Sequence, residues 1–215
     1  MRHFKAMIER ARRHPLRRDQ DGVAMIEFAI AAPVFLTLTL TGLELANLAL
    51  SHLKVNQMAM TVADDAGRVM SGIDEANIHE VFTGAQIISG GLDFKPHGRM
   101  VLSSLEPNGQ TGGDEGQVIT WQRCWGDLDV DPAYGEEGDG ADDDSLEDGM
   151  GTGARKIVAG DDTAVMVVEV SYEYQPLVST GFFDPPTIRY ESAFNVRGRQ
   201  NNAISNTQGL TTFTC

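Results

Sequence analysis

The run DGVAMIEFAIAAPVFLTLTLTGLELANLAL, residues 21–50, constrains this chain more than any other feature. Sixteen residues from Phe28 to Leu43 carry no charge. As a helix they span roughly 24 Å at ~1.5 Å per residue, short of a hydrocarbon core of ~30 Å. Extension to residues 23–50 reaches across, but takes in Glu27, Glu44 and Asn47. Glu27 then lies near one end and Glu44 near the other, where carboxylates reach the headgroups. Pro33 and Gly42 are tolerated in membrane helices, and Thr37, Thr39 and Thr41 can bond back to helix carbonyls.

Charge divides around this run. The formal net charge is −14. Residues 1–22 hold seven Lys/Arg against three acids, a local +4, so the rest carries −18. A basic head before an apolar span keeps the head in the cytoplasm and sends the body outside. The expected organisation is a basic cytoplasmic leader at 1–22, a transmembrane helix at 23–50, a helical extension at 51–72 and an extracytoplasmic domain at 73–215. The acidic body speaks against nucleic-acid binding, because a phosphate backbone would be repelled.

A cleavable secretory signal fits the apolar run badly. The run is long, and no small-x-small cleavage site follows at a workable distance. A plain signal anchor accounts for the composition. It leaves unexplained why Gly22 ends a basic leader and is followed by VAMIE, with Glu27 five residues on.

That arrangement resembles a prepilin, in which a membrane aspartyl peptidase cuts after the glycine and the anchor helix stays on the mature chain. The resemblance implies cleavage between Gly22 and Val23, making Glu27 the fifth residue, a hallmark of pilins. It also implies a partner for Glu27, the new N-terminal ammonium of a neighbouring subunit or of the same chain. The other reading is a carboxylate that snorkels to the headgroups. The stretch as a whole is similar to the TadE-like family of the tight-adherence (Tad, or Flp) pilus system. Gly22, Glu27, Phe28, Pro33 and Glu44 carry the likeness over about residues 20–62. Asn47 and Leu48 depart from the family pattern, where an aromatic or basic residue often follows the second glutamate. The major Flp pilin is much shorter, and TadG-like relatives carry a larger outer domain.

The resemblance therefore implies a minor pilin or pseudopilin of a bacterial inner membrane, single-pass, with its C-terminal domain periplasmic or carried into a pilus. Its implied partners are other pilin-like subunits, Tad pilus assembly proteins, a prepilin peptidase and the lipid bilayer, with Glu27 and Phe28 on the assembly surface.

Beyond the span, Leu50, Leu53, Met58, Val62, Ala66 and Val69 recur at mostly three- to five-residue steps, which predicts a helix ending near Gly72. A second amphipathic helix is expected over 74–91, with Asp74 as N-cap and Gly90-Gly91 as the stop. His79 is read as a boundary residue on its flank. Strands are expected at 98–106, 117–125, 163–177 and 186–198, separated by turn-rich stretches that include STGFFDPP with its exposed aromatics. The predicted fold is α+β, with an antiparallel sheet of about four strands packed on the extension of the first helix.

Two cysteines, Cys124 and Cys215, are present. In a cytosolic chain they read as ordinary thiols; in an exported body they pair, tying down the last strand. Residues 127–148 hold eleven acids and no base, the composition of a solvated, mobile loop. Asp127, Asp129 and Asp131 alternate like the start of a calcium loop, but Pro132 stands where an EF-hand needs glycine and Gly138 where it needs glutamate. Calcium in an irregular acidic loop and docking to a basic partner are the other readings; no other cofactor is indicated. No nucleophile elbow, phosphate loop, metalloprotease motif or triad is legible. Two further classes remain beside the pilin reading: an anchored binding domain, whose leader would stay uncut, and an anchored enzyme, which would show a pocket with perturbed titratable groups.

Overall fold

The computed structural model describes residues 21–112, 115–178, 184–199 and 201–215. Most of the basic leader, and Phe182 and Phe183 of the connection before the last strand, lie outside the described residues. The chain divides into two compact units, Met1–Ala46 and Asn47–Cys215. Helix α1 spans Asp21–Arg68. Helix α2 (Glu75–Ile88) and the short α3 (Phe94–His97) follow. The strands are β1 (Gly98–Pro107), β2 (Gln117–Trp125), β3 (Val165–Glu173) and β4 (Thr187–Asn195). They form one antiparallel sheet in the order β2-β1-β3-β4, so the fold is α+β with four strands, as the pattern of the sequence indicated.

In the second unit α1 buries Ser51, Val55, Met58, Ala59, Val62, Ala63 and Ala66. These steps of three and four residues make a single stripe. Leu50 and Leu53, expected on that stripe, are 56% and 65% exposed. Met58, Val62 and Ala66, also expected there, are fully buried on it, and toward the membrane end Ser51 and Val55 take the place of Leu50 and Leu53. At the helix end a Cβ on Gly67 would lie 3.3 Å from the Asn195 carbonyl oxygen, and the Arg197 N–H donates to the Gly67 carbonyl at 3.1 Å.

Against the stripe lie Met100 and Leu102 of β1, Trp121 of β2, and Met166, Val168, Val170 and Tyr172 of β3, with Ile78, Phe82 and Ala85 of α2. The alternate residues of β3 required by the pleat all enter this one cluster. Phe94, brought in by α3, stacks on Trp125 at 5.3 Å and on Tyr172 at 5.9 Å between ring centroids. The Tyr172 hydroxyl donates to the Leu92 carbonyl at 2.6 Å, so its burial leaves no polar group unpaired. Helix α3 lay beneath the resolution of periodicity, being four residues long.

The opposite face of the sheet is also covered. Leu105, Ile119, Val165 and Val167 pack with Leu146, Met150 and Ala159. The acidic stretch read as a mobile loop is therefore folded onto the sheet. Gly138 and Asp139 exchange backbone hydrogen bonds with Ile119, at 2.8 and 3.1 Å, and the Gln117 N–H donates to the Leu146 carbonyl at 3.1 Å. Glycine makes this approach feasible: Gly140 has φ +78°, and a Cβ there would sit 2.0 Å from the Gln117 carbonyl oxygen. Most of the acids of the stretch, including Asp142, Asp143 and Asp144, remain exposed.

The C-terminal residues run beside β2 without regular structure, so Cys215 does not belong to a last strand. The Phe213 carbonyl accepts from the Cys124 N–H at 2.8 Å, and Cys124 and Cys215 are joined by a disulfide.

Candidate functional site on the first helix

The first unit carries the apolar helix surface. From Val23 to Leu45 the large side chains are exposed, among them Phe28 at 72%, Phe35 at 68% and Leu38 at 68%. Covering such a side chain gains about 1.5–3 kcal/mol each. A contiguous surface of this size marks a contact with lipid or with other apolar helices. The helix is long and apolar enough to cross a membrane, and none of its most apolar window is buried within the chain. Residues 23–50 rise about 42 Å at helical pitch, more than the ~30 Å hydrocarbon thickness.

The polar groups of this helix are arranged for a dry surrounding. Thr37 Oγ1 donates to the Pro33 carbonyl at 2.7 Å and Thr39 Oγ1 to the Phe35 carbonyl at 2.9 Å. Each hydroxyl is thereby satisfied without water. Glu44 is half-buried. Glu27 differs: it is exposed and makes no hydrogen bond or ion pair among the described residues. A carboxylate at this place in an apolar helix is costly until a partner neutralises it.

Gly22 needs an explanation as well. It lies within α1, without positive φ, and no described heavy atom comes within 4 Å of where its Cβ would be. Packing within the described chain therefore gives no reason for glycine here. Val23 follows with its side chain 53% exposed, so Gly22, Val23, Glu27 and Phe28 all lie on the accessible first two turns or so of the helix.

The remaining sequence candidates lie in the second unit. Asp127, Asp129 and Asp131 are exposed, and among the described residues no three His, Cys, Asp or Glu side chains come together as a metal cluster. His79 sits half-buried on α2 and contacts the Thr211 carbonyl at 2.8 Å. Asp74 caps α2 by accepting from the Ala76 N–H at 3.1 Å. Its other oxygen accepts from Ser205 Oγ at 2.8 Å and from the Thr207 N–H at 2.9 Å. The Thr207 backbone bond, then that of Ala76, hold this carboxyl down at about 2. Asp74 thus joins the helix cap to the C-terminal tail, a role the spacing of residues could not reveal.

Two clefts in the second unit hold acids that periodicity did not single out. One, of about 890 Å³, is lined by Glu106, Trp121, Asp161, Asp162 and Asn202 among others. Trp121 is buried there with its Nε1 donating to the Asn202 carbonyl at 3.0 Å, so its ring offers no stacking platform. The other, of about 470 Å³, is lined by Glu169, Glu191, Tyr134 and Arg189. Among the described residues no Ser, Thr or Cys side chain is hydrogen-bonded to a histidine ring, the pairing that activates such nucleophiles.

Residues 22–64 match the family model described as TadE-like protein, roughly a fifth of the 215 residues. The match takes in both the exposed apolar part of α1 and most of the stripe that packs on the sheet, and ends before α2. No curated protein and no solved structure is matched by the chain.

Proposed function

We propose that this chain, TadE-like over residues 22–64, is a minor pilin or pseudopilin that takes part in assembly of a Tad-type adhesion pilus. The leader is removed after Gly22 by a prepilin peptidase. The helix over residues 23–50 then holds the mature chain in the inner membrane until it enters a filament or an assembly complex, and the sheet domain lies on the periplasmic side. Pilin-like subunits and Tad assembly proteins are its partners.

One observation carries the reading: among the described residues, a glycine with no packing reason stands five residues before a carboxylate with no partner, at the start of an exposed apolar helix. Processing explains both. The prepilin peptidase that the resemblance implies cuts after a glycine, and the cut creates an ammonium group at Val23. That ammonium on a neighbouring helix can pair with Glu27 in a medium of low dielectric, where opposite charges attract most strongly. Glu27 then rewards one stagger between adjacent helices and penalises the others.

The N-terminus of the protein taken from its native membrane tests the processing. Intact-mass or N-terminal peptide analysis is expected to find a chain beginning at Val23. A chain beginning at Met1 or Arg2, in cells with an active prepilin peptidase, would reduce the protein to a signal-anchored domain. The pairing has its own test. Glu27→Ala is expected to insert and fold normally yet assemble poorly, read as loss of pili and of co-purifying subunits. Normal piliation by this variant would exclude Glu27 as the group that sets helix stagger.

A further inference from the structure

Glu169 lies mid-strand in β3 and is only 9% exposed. In register it faces Glu191 on β4 on one side and Val101 on β1 on the other. Cross-strand partners share a face of the sheet, and like charges placed directly opposite one another repel. Neither carboxylate has a cationic side chain within ion-pair distance among the described residues. Arg189, two residues from Glu191, lines the same cleft but is exposed. Arg99, the other cation on the adjoining strands near this point, donates to the Gly126 and Cys215 carbonyls.

The folded acidic stretch meets both carboxylates. The Ala133 N–H donates to Glu169 Oε2 at 2.8 Å, and the neighbouring Tyr134 hydroxyl donates to Glu191 Oε2. Glu169 Oε1 is left buried with no hydrogen-bond partner. An ionised carboxylate in that position would carry an unsatisfied, desolvated oxygen beside a second negative charge. A protonated one would not, because its O–H becomes a donor with an acceptor carboxylate beside it.

We propose that Glu169 and Glu191 form a proton-operated latch that holds residues 133–134 on the sheet. The latch is closed while one proton is retained at the pair and loosens when both carboxylates are ionised. Burial, the leading cause, and the charge of Glu191 push the Glu169 carboxyl up to about 7, against the lowering effect of the Ala133 bond and of Arg189. The hydrogen bond to Glu191 pushes the Tyr134 hydroxyl up to about 12, so Tyr134 remains a donor throughout. The sign follows from linkage. A carboxyl whose pKa is higher when the latch is closed favours the closed state most fully below its free value near 4.5, and that preference is lost as pH rises through 7. The stretch has separate anchors on either side: Glu137 accepts from the Gln122 N–H at 2.9 Å, and Leu128 donates to the Gly98 carbonyl at 3.2 Å. Release is therefore confined to the segment between them.

Limited proteolysis of the full chain in detergent micelles between pH 5.5 and 8.5 tests this, with Glu169→Gln as reference at each pH to cancel the protease's own dependence. The ratio of wild-type to variant cleavage within 127–148 is expected to rise on the order of tenfold across that range. A ratio that stays flat overturns the latch. A carboxyl-carbon NMR titration of wild-type protein needs no variant: a Glu169 midpoint near 7 is the expected result, and a midpoint near 4.5 overturns the proposal.

Discussion

Replacement of Arg123 by alanine is expected to cost the second unit about 3–5 kcal/mol, because it strands a buried carboxylate. Arg123 on β2 and Glu75 at the start of α2 are 8% and 2% exposed. The guanidinium donates from Nε and NH2 to Glu75 Oε1 at 2.7 and 2.6 Å, and from NH1 to Glu137 Oε2 at 3.2 Å. It joins the helix to the sheet and both to the acidic stretch. Without it, Glu75 is left among apolar neighbours with Oε2 already lacking a partner. The melting temperature should fall on the order of 10 °C. The double variant Glu75→Leu, Arg123→Met separates the explanations. If the loss comes from an uncompensated charge, the double variant recovers most of it, since apolar replacement of a whole buried pair is often neutral or stabilising. Losses that simply add in the double variant would mean that packing by the arginine stem, and not charge, is what the alanine removes.

The second large effect concerns the Cys124–Cys215 disulfide, which closes a loop across 91 residues. A cross-link over that separation removes about 4–5 kcal/mol of chain entropy from the unfolded state. Cys124→Ser with Cys215→Ser, or the wild-type chain under reductant, should therefore unfold at a temperature lower by on the order of 10 °C. The C-terminal residues should become protease-sensitive first, since the ties that remain near Cys215 are hydrogen bonds from Cys124 to Phe213, from Arg99 to Cys215 and between His79 and Thr211, with the Phe213 ring against Phe82. Equal melting with and without reductant would show that the bond adds nothing to stability.

How far the sequence reached differs between the two ends of the chain. The apolar helix was legible because its signal is composition over a long window, and a long window needs no tertiary contact to interpret. Each strand was legible for a similar reason: short apolar runs, alternating in β1 and β2 and rich in valine in β3, between turn residues report a local preference. The helix stripe was legible at Met58, Val62 and Ala66 but not at Leu50 and Leu53, where Ser51 and Val55 turn to the core instead. Near-continuous burial along β3, with only Ser171 and Glu173 outside it, required a covering layer on each face of the sheet. The run VMVVEV hinted at this, since a strand covered on one face alternates.

Residues 21–50 by themselves determined that this protein presents an apolar helix with a glycine and a glutamate at its start. That follows from side-chain chemistry alone, and Glu27 keeps the same meaning in any fold. Only the tertiary structure decided what the acidic stretch does. The apolar residues that seat it, Tyr134 and Leu146 within it and Met150, Ile157 and Ala159 just beyond, are too sparse to form a period. Their effect depends on a surface supplied by Leu105, Ile119, Val165 and Val167, which come from strands distant in sequence. The same holds for Glu169 and Glu191. Twenty-two positions apart, they are two unremarkable surface glutamates until antiparallel pairing sets them opposite each other and the acidic stretch covers Glu169.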